Sequence, residues 1–85
     1  MENIKRYPII VKTEKEIEID FKKIYDCIRN EYPDADIYYI GDTFGDNFDY
    51  YLEKVFQFNF LGELDADAVE AIWKDFYDWL ETNVK

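Results

Sequence analysis

Ile37-Tyr38-Tyr39-Ile40-Gly41-Asp42-Thr43-Phe44-Gly45-Asp46-Asn47-Phe48-Asp49-Tyr50-Tyr51-Leu52-Glu53-Lys54-Val55-Phe56-Gln57-Phe58-Asn59-Phe60 is the stretch on which the fold turns. Its first four residues form a short, β-branched and aromatic run ended by Gly41, and residues 42–47 have the composition of a hairpin loop. From Phe48 onward the alternate positions Phe48, Tyr50, Leu52, Phe56, Phe58 and Phe60 are apolar, interrupted only by Lys54. Asp49, Glu53, Gln57 and Asn59 fall on the other face. Tyr51, Leu52, Val55 and Phe56 also fit a helical period, which leaves residues 48–55 open between strand and helix. The aromatic content decides for a long strand, paired with residues 37–40.

On the N-terminal side, Tyr7-Pro8-Ile9-Ile10-Val11-Lys12 is a short strand sequence, and Glu16-Ile17-Glu18-Ile19-Asp20 alternates strictly with period two. The charged Thr13-Glu14-Lys15 between them makes the pair a β-hairpin. Pro8 lacks a ladder donor, which places it at an edge or at the start of its strand. Asp20 then caps a helix from Phe21 to about Glu31, with Phe21, Ile24, Cys27 and Ile28 on one face and Pro33 as its stop. On the C-terminal side, Gly62 breaks the long strand. Asp65 caps a last helix over about residues 66–83, with Leu64 stapled onto its first turn. Val69, Ile72, Trp73, Phe76, Trp79 and Leu80 recur at three- and four-residue spacing, the pattern of a helix packed on a sheet. The order β-β-α-β-β-α predicts an α+β fold: a small antiparallel sheet of about four strands with two helices packed on it, in one domain spanning residues 1–85.

The 85 residues include 20 acids and ten bases, a formal net charge of −10. Residues 1–33 carry seven of each sign, whereas residues 34–85 carry 13 acids and three bases. The whole excess belongs to the C-terminal three-fifths, and a field of that sign disfavours nucleic acid and anionic membrane as direct ligands. No apolar run approaches a membrane span and the first residues lead straight into strand sequence, so a soluble, cytoplasmic protein is expected. One cysteine fits a reducing compartment.

Histidine and serine are absent from the sequence. Cys27 therefore has no imidazole to activate it and reads as a small buried apolar residue. Carboxylate pairs are the only acid/base equipment, and 20 acids in so short a chain lie close by chance. Asp42, Asp46, Asn47 and Asp49 cluster, but without the twelve-residue spacing of a calcium loop, and one cysteine cannot build a usual zinc site. The expectation is a protein that is not an enzyme and needs no metal or cofactor.

Two patterns point to binding. At 100° per residue, Asp67, Glu70, Asp78 and Glu81 share the helix face opposite the tryptophans, with Asp75 at its flank and Lys74 as the lone base. Solvated helix faces usually mix signs, and like charges at this spacing cost stability. The aromatics Tyr38, Tyr39, Tyr50, Tyr51, Tyr77, Phe44 and Phe48 exceed what one helix-on-sheet core needs, and Asp42, Asp46, Asp49 and Glu53 interleave with them. Rigid aromatics among steering charges are interface composition. The predicted partner-binding set is Asp42, Asp46, Asp49, Tyr51, Glu53, Asp67, Glu70, Asp75, Asp78 and Glu81.

In its small size, its acidity, its abundance of Tyr and Asp and its lack of catalytic residues, the chain resembles phage-encoded inhibitors of host defence, the anti-CRISPR and anti-restriction proteins. That resemblance implies a stoichiometric inhibitor whose carboxylates stand in for DNA phosphates in the groove of a basic nucleic-acid-binding protein or nuclease complex. The alternatives are an immunity protein or antitoxin that plugs a toxin nuclease, and a non-inhibitory protein-interaction adaptor. A toxin gene beside this one separates immunity from anti-defence.

Overall fold

A computed structural model describes residues 3–10, 15–57 and 66–84. Strict alternation produces the expected hairpin. β1 (Ile4–Ile10) and β2 (Lys15–Asp20) pair antiparallel with Tyr7 opposite Ile17 and Arg6 opposite Glu18, and the register slips between Pro8 and Ile10. Tyr7, Ile17 and Ile19 are buried while Glu16 and Glu18 face solvent, as a period of two on a one-sided sheet requires. Arg6 Nε donates to Glu18 Oε1 at 2.8 Å across the strands. The predicted turn at residues 13–14 and the end of the first strand at residues 11–12 lie outside the described residues.

Helix α1 (Phe21–Glu31) begins where Asp20 accepts the Lys22 N–H at 3.0 Å, and it buries Phe21, Ile24 and Ile28. The last helix, numbered α4, spans Ala66–Asn83 and buries Ile72, Phe76, Trp79 and Leu80, with Val69 and Trp73 partly covered. Gly62, the Leu64 staple and the Asp65 cap lie outside the described residues.

Between them the structure overturns the four-stranded expectation. The described strands are two, and the deciding stretch is a pair of helices, α2 (Ile37–Asp46) and α3 (Phe48–Phe56). Neither residues 37–40 nor residues 48–56 form a strand; Phe58 and Phe60 lie outside the described residues. The cause is local and tertiary together. Asp36 caps α2 by accepting the Tyr39 N–H at 2.8 Å, and Ile37, Ile40, Gly41 and Phe44 then fall on one buried face at helical spacing. Asn47 joins the helices: its backbone N–H and its Nδ2 both donate to Thr43 O at 3.1 Å, and its own carbonyl accepts the Tyr51 N–H. Phe48, Tyr51 and Leu52 are the buried face of α3. That helix ends at Gln57, whose backbone takes a left-handed φ of 55°. For a non-glycine residue this costs about 1–2 kcal/mol.

Gly41 and Gly45, which look like strand end and turn, sit inside α2 for a steric reason. A Cβ at Gly41 would lie 2.5 Å from Tyr77 Cζ, and one at Gly45 would lie 2.7 Å from Trp73 Nε1. The two α4 rings thus rest on bare α2 backbone, and Trp73 Nε1 donates to Gly41 O at 2.9 Å. Only a residue without a side chain permits that approach.

The buried residues form one cluster, with Phe76 at its centre. Its ring lies 5.0 Å from Phe44, 5.8 Å from Phe21 and 6.3 Å from Trp79, so it links α2, α1 and the body of α4. Trp79 Nε1 donates to Asn3 Oδ1 at 2.8 Å, which ties the start of the hairpin to α4.

Candidate interaction surface

With the core placed, the acids divide into those that hold the fold and those that face water. Asp67, Glu70, Asp78 and Glu81 are all exposed on α4, opposite its buried face. Among the described residues the ion pairs are Lys5–Asp75, Arg6–Glu18, Lys22–Asp26 and Lys54–Glu31, and none reaches these four. The last turn of α4 contains no base. Glu81 therefore faces the negative end of the helix dipole with no base in that turn, and Asp78 stands one turn before it.

Asp75 departs from the stripe. It is only partly exposed, accepts the Tyr7 hydroxyl at 2.7 Å and lies 3.7 Å from Lys5 Nζ, so it anchors the hairpin to α4. Burial, and then Asp75 itself, push the Tyr7 phenol well above its ordinary range.

Tyr51, predicted as a contact residue, is buried at 2% exposure and cannot serve as a surface anchor. Its hydroxyl donates to Glu31 Oε1 at 2.8 Å, and Lys54 Nζ meets Glu31 Oε2 at 3.2 Å. The Tyr51 hydrogen bond, with help from Lys54, holds the Glu31 carboxyl below its usual range, while burial raises the Tyr51 phenol.

Asp42, Asp46, Asp49 and Glu53 are exposed on α2 and α3. Asp49 occupies the first turn of α3, where the helix dipole favours it. Asp42 accepts the hydroxyl of Tyr77, whose oxygen also lies 3.1 Å from Tyr38 O. Partial burial first, then Asp42, then the fields of Asp36 and Asp46, push the Tyr77 phenol up to about 12. The Tyr77–Asp42 hydrogen bond joins α2 to α4.

Of the aromatic surplus, Tyr38, Tyr39 and Tyr50 are each 51% exposed, Tyr77 is half-buried, and Phe44 and Phe48 belong to the core. Tyr32, which the interface pattern in the sequence passes over, is also exposed and makes an edge-to-face pair with Tyr39 at 5.4 Å. Its signal was the Tyr32-Pro33-Asp34-Ala35-Asp36 run that follows α1, an aromatic set between acids where the chain must turn.

Cys27 is half-buried and its thiol is pushed up by burial, which makes it a poor nucleophile. Among the described residues no group of three or more acids or thiols converges as a metal site, and no helix is long and apolar enough to cross a membrane. No protein-family model, no curated protein and no solved structure matches this chain.

Proposed function

We propose that this protein is a stoichiometric inhibitor, acting in the cytoplasm without catalysis or cofactor, whose acidic surface takes the place of nucleic acid on a basic nucleic-acid-binding protein of the anti-CRISPR or anti-restriction target type. The observation that carries this reading is the exposed face of α4, where Asp67, Glu70, Asp78 and Glu81 stand without an ion pair among the described residues. Asp67 and Glu70, and Asp78 and Glu81, are each one helical turn apart, ~5–6 Å, so the face presents two pairs of like charges, with the exposed Lys74 between them, to a groove built for phosphates. Asp42 and Asp46 of α2 extend the same field toward Tyr77. Charge of one sign on a rigid helix also speeds encounter with a basic groove.

Reversal of Asp78 and Glu81 to lysine should weaken binding to the basic partner, and reversal of Glu16 on the outer face of β2 should leave it intact. Nucleic acid should compete with the protein for that partner, and added salt should weaken the complex as exposed charges are screened over ~8–10 Å. Simultaneous binding of nucleic acid and this protein, with affinity indifferent to both α4 reversals, contradicts mimicry.

A further inference from the structure

The edge-to-face pair of Tyr32 and Tyr39 stands at the joint between α1 and α2, outside the core. The two rings line an open cleft of about 500 Å³ together with Pro33 and Ala35 and the carboxyl-bearing residues Glu31, Asp34 and Asp36. The backbone of this cleft is held in place from behind. Arg29 Nη1 donates to Pro33 O at 3.0 Å and also to Ala35 O, its Nε donates to the Tyr25 hydroxyl at 3.1 Å, and the Ala35 N–H returns to Tyr32 O at 3.2 Å. Asp36 is fixed through one oxygen by the Tyr39 N–H. Neither Arg29 nor Lys54 lines the cleft, but Lys54 already pairs with Glu31 at 3.2 Å, so the carboxylates left to a guest beside the aromatic surface are those of Asp34 and Asp36.

An aromatic face beside carboxylates favours one kind of guest. A planar guanidinium stacks on tyrosine, forks onto a carboxylate and sheds its hydration more readily than an ammonium. A plain apolar guest would leave Asp34 and Asp36 facing it without compensation, and an anion would be repelled. We propose that the Tyr32–Tyr39 cleft receives an arginine side chain of the basic partner. The proposal rests on the reading of this protein as a binder of a basic protein, but it concerns a second surface, since no residue of α4 lines the cleft. The partner would then be gripped at one point by an aromatic socket and steered over a wider area by the α4 acids.

The test is an amide-resolved NMR titration of the full chain with acetyl-Gly-Arg-Gly-amide, and with its lysine and norleucine counterparts. Saturable shifts should centre on Tyr32, Asp34, Ala35, Asp36 and Tyr39, be strongest for arginine and be absent for norleucine. Tyr39→Ala, at an exposed position outside the core, should weaken arginine binding roughly two- to five-fold. Asp34→Asn should weaken it as well, and Glu16→Lys, on the outer face of β2, should leave it unchanged. Shifts centred on α4 or spread over the acids without saturation, an equal response to norleucine, or an unaffected Tyr39→Ala variant overturns the proposal. If the cleft fails while the α4 reversals still weaken partner binding, the acidic-face reading stands alone. If the cleft binds arginine while those reversals do nothing, the acidic-face reading falls instead.

Discussion

β2 and α3 start from similar sequence and end as different structures. Glu16-Ile17-Glu18-Ile19-Asp20 and Phe48-Asp49-Tyr50-Tyr51-Leu52-Glu53 both set apolar against acidic residues, yet the first is a strand and the second a helix. In β2 every apolar residue falls on the buried face and no third position competes. In α3 the alternation is broken at Tyr51, and Phe48, Tyr51 and Leu52 are the residues that the core takes up, while Tyr50 is left in water. Alternation decides a strand only when no helical subset of the same residues offers an equally apolar face. The two regions differ in charge as well. The hairpin and α1 match their acids to bases at Arg6–Glu18 and Lys22–Asp26, whereas the acids on the outer face of α4 have no ion pair among the described residues.

The largest expected effect breaks the comparison at its common support. Phe76 is fully buried and touches Phe21 below the hairpin as well as Phe44 beside α3. Phe76→Ala should cost about 3–5 kcal/mol in chemical denaturation, comparable with the whole stability of a small domain. A variant that unfolds at the parental denaturant concentration contradicts the packing.

A smaller effect sharpens it. Asp36→Ala removes the carboxylate that receives the Tyr39 N–H, and loss of such a cap costs about 0.5–2 kcal/mol. In a strand beginning at Ile37 the same substitution would be close to neutral. Denaturation of Asp36→Ala beside Asp34→Ala, two residues earlier, separates the cases: only the former should be destabilised.

These two residues also mark what the sequence made legible. The hairpin, α1 and the buried face of α4 follow from unambiguous periods and from Asp20. The Asp36 cap before Ile37, Ile40, Gly41 and Phe44 was the same kind of signal, but Gly41, Gly45 and Asn47 read as loop chemistry. The reason for glycine at 41 and 45 is the rings of Trp73 and Tyr77, which local sequence does not place against α2. Among the candidate contacts, the four exposed acids of α4 were readable from helical phase alone. The bonds that Tyr51 makes to Glu31 and Asp75 makes with Tyr7 were not readable, because those partners lie far away in the chain. The Tyr32–Tyr39 pair was hidden for the same reason, since α2 had first to be a helix for the rings to meet.

On the proposed function, the α4 acids burden the isolated fold and are retained for a partner. Neutralising Asp78 and Glu81, near a helix end whose last turn carries no base, tests this most directly. The thermal stability of Asp78→Asn/Glu81→Gln should exceed that of the parent by about 0.3–1 kcal/mol at low ionic strength, and added salt should shrink the gain. A double variant less stable than the parent at low salt would show that these carboxylates support the fold and would contradict the claim.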